Sequence, residues 1–166
     1  EPPAALAVVR DGTCEIWACT QDPMGARKEV ATALGLPVEK VTVHITLLGG
    51  GFGRKSKPDF ILEAALLAQK VGRPVKVTWT REDEIQHGFY HSVSAQHLEA
   101  GQDAQGNTVA WRHRTVFPTI ASTFDAKAEY PPNWELGLGF TDLPFDVPNL
   151  RLENAAPGSA PVDQPE

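Results

Sequence analysis

Three consecutive glycines, Gly49-Gly50-Gly51, stand directly after an alternating, β-branched run at residues 41–48 and shortly before an apolar run at 60–71. No regular element accommodates such a triplet well. Glycine loses the most backbone freedom on ordering and has no side chain to pack. The chain must therefore leave a strand, turn through residues 49–55 and start a helix. A second junction has the same design. Residues 14–19 read as a strand, and Thr20-Gln21-Asp22-Pro23 follows, with Asp22 suited to an N-cap and Pro23 to the first helical position. Each junction sets unsatisfied N–H groups and a positive dipole end beside the carboxyl end of a strand, which favours an anion such as phosphate. Arg54 and Lys55 add donors next to the glycines.

The remaining pattern fits around these junctions. Asp11-Gly12 is a tight-turn signal and predicts a hairpin of residues 5–10 and 14–19. The first helix should run to about residue 34, with Gly35 as its left-handed stop and Pro37 beyond. A second helix is expected over 58–71, with Ser56 as cap, Asp59 completing a short capping box, and a body apolar enough to be largely buried. Residues 75–79 form a fourth strand, with a crossover if it pairs in parallel with 41–48. Thr80-Arg81-Glu82-Asp83 starts a short helix to about residue 86. Residues 92–101 and 107–117 flank a turn at 103–107, and 148–153 is one last strand. Prolines at 118, 131, 132, 144 and 148 make regular structure sparse in between, and 156–166 reads as an unstructured tail. The expected fold class is α+β: a mixed or antiparallel sheet of roughly four to six strands, two main helices and an irregular C-terminal segment. One domain over 1–118 is expected, with 119–166 as its irregular extension.

Charge narrows the function. Fifteen Lys and Arg against 21 Asp and Glu leave a formal charge of 15 − 21 = −6, which argues against a nucleic-acid surface. No apolar run approaches the roughly 20 residues of a membrane span. No targeting segment is visible, so bacterial cytoplasm and periplasm both stay open. Cys14 and Cys19 are five apart. On one strand that places them on opposite faces, as two small buried residues that do not pair.

The glycine loop misses the familiar phosphate motifs narrowly. A Walker A loop counted from Gly49 needs a glycine where Arg54 stands, although Lys55-Ser56 then fits. A dinucleotide fingerprint counted from Gly51 has Ser56 in place of its third glycine. A stand-alone phosphate or nucleotide module, and a non-catalytic interaction domain, stay open on this reading.

Gly49-Gly50-Gly51-Phe52-Gly53-Arg54-Lys55 resembles the GGGFG(G/R)K loop of the molybdenum hydroxylases, the xanthine dehydrogenase and aldehyde oxidase family. Further stretches are similar in the same order: Trp17-Ala18-Cys19-Thr20-Gln21-Asp22-Pro23, Leu34-Gly35-Leu36-Pro37, and Gly72-Arg73-Pro74-Val75-Lys76 with Thr80-Arg81-Glu82-Asp83. Residues 85–91 and 111–114 look most like the isoquinoline 1-oxidoreductase β-subunit branch. The resemblance covers about residues 1–153. It implies a molybdopterin-type molybdenum cofactor. Gln21 would sit beside an oxo ligand of the metal, and Gly50, Gly51, Phe52 and Gly53 against the pterin. Arg54 stands where xanthine dehydrogenases have glycine, as a further candidate contact. The reaction implied is hydroxylation of an N-heterocycle or oxidation of an aldehyde with water-derived oxygen.

The partners implied are the remainder of the molybdenum subunit, a small [2Fe–2S] subunit and a cytochrome c acceptor, with no nucleic acid. The family's Gly-Val-Gly-Glu motif, which carries its catalytic glutamate, does not occur in these residues, nor does its arginine-containing substrate segment. No turnover is expected from this stretch alone, and the catalytic set is incomplete in it.

Other candidates carry less. His87 and His91 are four apart, a spacing that could clasp zinc on one helix face, but Gly88 weakens a helix there and no third ligand is evident. His44 reads as a strand histidine, and His97 and His113 as cross-strand neighbours. Asp22 and Asp59 are better explained as helix-start residues than as acid–base groups, and Glu63 is a weaker candidate of the same kind. Trp17, Trp79 and Trp111 fall in strands as core residues, and Trp134 lies in the irregular segment.

Overall fold

The structure is a computed structural model and describes residues 1–155. The chain forms two compact units, Glu1–Phe89 and a second beginning at Tyr90. The boundary expected at residue 118 falls inside the second unit, because the strands of the long hairpin build a sheet of their own. The expected tail at 156–166 lies outside the described residues.

In the first unit, β1 (Ala4–Arg10) and β2 (Thr13–Ala18) pair antiparallel. Asp11 and Gly12 take φ of 50° and 70°, the left-handed pair that a two-residue hairpin turn requires. Asp22 caps α1 (Pro23–Leu34) by accepting from the Gly25 N–H at 2.8 Å, and Gly35 ends it at φ 66°. α1 carries the chain over to β3 (Val41–Ile45), which pairs in parallel with β2. α2 (Asp59–Val71) leads to β4 (Val75–Thr78). The sheet order is β3-β2-β1-β4.

Two corrections concern this sheet. β4 does not join β3; it pairs antiparallel with β1 at the opposite edge, so the parallel crossover is β2–α1–β3. Ser56 does not cap α2. It belongs to a 3-10 turn, Arg54–Ser56, and the N-cap is Pro58 with no side-chain bond. The Asp59 carboxylate is instead taken by Arg54 in a bidentate pair at 2.9 and 2.8 Å, a stronger contact than a neutral hydroxyl offers.

The core lies between the sheet and the two helices. Ala5, Ala7, Cys14, Ile16 and Ala18 face Ala26, Val30, Ala31, Phe60, Ile61, Ala64, Ala65 and Ala68. Alanines dominate both faces, which lets backbones approach closely. Phe60 and Ile61 are fully buried and contribute about 1.5–3 kcal/mol each. α2 is buried on one face only; Leu66, Leu67 and Val71 are exposed on the other. Trp79 packs on the edge of this core, while Trp17 points to the opposite sheet face and stacks on His44 at 4.7 Å. A short α3 (Arg81–His87) closes the unit, with Thr80 and Asp83 forming a full capping box.

In the second unit, β5 (Ala95–Gln102) and β6 (Thr108–Val116) form an antiparallel hairpin, and β7 (Asn149–Ala155) lies parallel to β6. Asp103 shapes the turn by accepting from the N–H groups of Gln105 and Asn107. His97 faces Arg114 in the register and His113 faces Leu98, so the two histidines point to opposite faces of the hairpin and are not the cross-strand neighbours expected. Between the strands regular structure is sparse: a 3-10 turn at Ile120–Thr123 and a single helical turn, α4 (Asn133–Leu136). The buried Glu135 ties them, accepting from Thr119 Oγ1 at 2.6 Å and the Ile120 N–H at 2.9 Å.

Candidate functional site

Parallel pairing of β2 and β3 delivers both junctions to the same edge of the sheet. Parallel strands end side by side, and the carboxyl edge of such a pair is where ligand clefts form. The Thr46 N–H donates to the Ala18 carbonyl at 3.1 Å, which extends the pairing past β3. Beyond it, the Thr20-Gln21 turn and the glycine loop meet.

Three contacts join them. The Thr20 hydroxyl and the Gln21 N–H both donate to the Lys55 carbonyl at 3.0 Å. The Gly53 N–H donates to Gln21 Oε1 at 3.0 Å. A backbone N–H can only face the oxygen of the amide, so this contact fixes which end of the Gln21 amide meets Gly53. Gly51 closes the approach: a Cβ there would lie 2.3 Å from Gln21 Oε1. No other residue type fits while Gln21 stays in place.

The loop itself is bent hard. Phe52 and Gly53 both take left-handed φ, 50° and 81°. For Phe52 this is strained backbone, and its ring projects into solvent, 88% exposed. The Arg54 N–H returns to the Gly51 carbonyl at 2.9 Å. The N–H groups of Gly49, Gly53 and Arg54 have protein acceptors, whereas those of Gly50, Gly51 and Phe52 take none among the described residues. Successive N–H groups left without protein acceptors in such a bend suit an anion or a ring of carbonyls and nitrogens.

The two basic side chains turn inward. Arg54 binds Asp59 through both terminal nitrogens, and its guanidinium lies 5.3 Å from the ring centres of Trp79 and Phe89. Its Nε is buried without a partner among the described residues. Lys55 is 1% exposed. Its ammonium donates to the Glu1 carbonyl at 2.7 Å and lies 3.9 Å from Glu84. Burial lowers its pKa. The Cys19 thiol is raised by burial and by its hydrogen bond to Glu1. Of the expected site residues, the structure thus brings together Gln21, Gly50, Gly51, Phe52 and Gly53, and commits the Arg54 side chain elsewhere. Glu1, 48 residues from Gly49, carried no signal in the sequence, and Lys55 only its place beside the glycines. Among the described residues no group of three or more His, Cys, Asp or Glu is placed to hold a metal ion, His87 and His91 included.

The profile of the molybdopterin cofactor-binding domain matches residues 1–156. The chain belongs to this family. It is 31% identical to the isoquinoline 1-oxidoreductase subunit beta of Brevundimonas diminuta, over 89% of this chain and 19% of that protein. It is 38% identical to the membrane-bound aldehyde dehydrogenase [pyrroloquinoline-quinone] of Gluconacetobacter polyoxogenes, over 70% of this chain and 15% of that protein. The quinoline 2-oxidoreductase structure from Pseudomonas putida 86 matches with a TM-score of 0.56 at 26% identity, over 70% of this chain and 15% of that one. The chain therefore spans less than a fifth of these relatives' length. The residues of this cofactor-binding domain fit the group its family is named for. The site offers backbone N–H groups without protein acceptors and a cradle that one Cβ would fill, and among the described residues no group of three or more metal-ligating side chains lies there.

Proposed function

We propose that this chain is the pterin-facing part of a molybdenum hydroxylase subunit, an oxidoreductase that hydroxylates an N-heterocycle or oxidises an aldehyde with water-derived oxygen. The observation that carries the reading is the 3.0 Å bond from the Gly53 N–H to Gln21 Oε1, which makes one surface of two junctions 32 residues apart. Gly50, Gly51, Phe52 and Gly53 would hold the pterin through backbone, and Gln21 would present Nε2 to the metal end. The bound group supplies the two-electron redox chemistry. The chain's own residues bind and orient it: Gln21 by a donor of fixed direction, Phe52 by an exposed ring beside the loop, and Lys55 by holding the loop's far end. Arg54 serves from behind the loop, through Asp59.

Electrons would leave through partners, a [2Fe–2S] subunit and then an acceptor such as a cytochrome c. Cys14 and Cys19 are both buried, and such a cluster takes four cysteines. No helix of the described residues is long and apolar enough to cross a membrane.

A phosphate or nucleotide loop is the competing reading. It would direct a lysine at the phosphates, whereas Lys55 is buried against Glu1. The test is chemical analysis of the full-length protein. Molybdenum and an oxidised, fluorescent pterin should be recovered near one per chain, and free nucleotides should show no saturable binding. Recovery of a quinone, or of no pterin, would overturn the assignment.

A further inference from the structure

The glycine loop is a backbone surface, so its shape depends on what holds its two ends. Both ends meet Glu1. At the start, the Gly49 N–H donates to Glu1 Oε2 at 3.1 Å. At the finish, Lys55 Nζ donates to the Glu1 carbonyl at 2.7 Å. The fit at the start is close: a Cβ on Gly49 would lie 2.3 Å from Glu1 Oε2. Glu1 is in turn fixed to the sheet, because Pro3 is fully buried and its carbonyl accepts from the Trp79 N–H at 2.9 Å. The Glu1 carboxylate also lies close enough to the Cys19 thiol, beside the Thr20-Gln21 turn, to raise its pKa.

We propose that Glu1 is a positioning residue, whose carboxylate and carbonyl clasp the two ends of the 49–55 loop and thereby set the curvature that receives the ligand. This rests on the reading of that loop as the pterin-facing surface. The chain of contacts runs from the ligand surface at Gly50–Gly53, through Gly49 and Lys55, to Glu1, and from Glu1 to the edge strand through Pro3. The Gly49 N–H needs an acceptor oxygen at the reach of a glutamate side chain, whether or not that oxygen is charged.

The test uses the full-length protein with Glu1→Gln, Glu1→Asp and Glu1→Ala. Glu1→Gln keeps an oxygen acceptor at the same reach. Glu1→Asp keeps the charge but withdraws it by one methylene. Two readouts are taken: the rate of pterin and molybdenum loss on dialysis, and hydrogen exchange of the Gly49 and Gly53 amides. Glu1→Gln should match the wild type within about twofold, while Glu1→Asp and Glu1→Ala should lose cofactor and exchange those amides about tenfold faster. The melting temperature of the cofactor-free protein should be unchanged in all three, which separates a loop effect from a general one.

Wild-type rates in Glu1→Ala would overturn the proposal, as would rescue by aspartate but not glutamine. If Glu1→Ala does not fold, the Gln and Asp pair carries the comparison. Absence of pterin from the wild type would defeat the functional reading, and amide exchange would still decide whether Glu1 shapes the loop.

Discussion

Gln21 and Gly53, 32 residues apart, are joined by a single hydrogen bond of 3.0 Å from the Gly53 N–H to the Gln21 side-chain oxygen. The bond is possible because β2 and β3 run in parallel and end together. The space a Cβ on Gly51 would take is filled by the Gln21 amide, so a side chain there has to displace Gln21.

Gly51→Val should displace Gln21 and open this contact. In the full-length protein we expect molybdenum and pterin content to fall at least tenfold, with the melting temperature of the cofactor-free protein nearly unchanged. Elemental analysis and pterin fluorescence check it. Undiminished cofactor content would remove Gly51 from the site.

Arg54 and Asp59 should couple in stability. Arg54 is mostly buried and Asp59 half-buried, so Asp59→Ala leaves a guanidinium without its counter-charge. A loss of about 1–3 kcal/mol is expected, read from urea midpoints. Arg54→Ala combined with Asp59→Ala should cost less than the sum of the two, and strict additivity would refute the brace.

The α3 capping box predicts an acid response. The backbone N–H of Thr80, then its side chain, hold Asp83 below the ordinary value of 3.8 in the folded chain. The folded state therefore holds this proton less tightly than the unfolded one. The stabilisation is complete above the ordinary value and is lost as pH falls through the lower, folded-state one. An NMR titration of the Asp83 carboxyl should give a midpoint below 3.8, and Thr80→Ala should move it upward. A midpoint unmoved by Thr80→Ala would contradict the box.

Neither cysteine should react in the native protein. Burial, with Glu15 adding to it, pushes the Cys14 thiol up to about 11, and Cys19 is also raised and buried. Since the thiolate is the nucleophile, iodoacetamide near neutral pH should leave both unmodified by mass spectrometry until denaturant is added. Native labelling of Cys14 would show that the core opens.

Much of the architecture is local and was legible in the sequence. Asp11-Gly12, Asp22-Pro23, Gly35 and Thr80 with Asp83 each specify a turn or cap through their own backbone preferences, and the structure forms all of them. The glycine triplet dictates a bend whatever surrounds it. Non-local choices were not legible. The edge that β4 joins depends on which strand leaves free hydrogen-bonding groups, and two sheets rather than one depend on how distant strands pair. Arg54 and Lys55 look alike as cations flanking a loop. Only the folded neighbourhood, Asp59 with two aromatic rings for one and Glu1 with Glu84 for the other, commits both to partners within the fold. Short-range torsional preference is written residue by residue, whereas the fate of a long charged side chain is decided by whichever partner packing brings within reach.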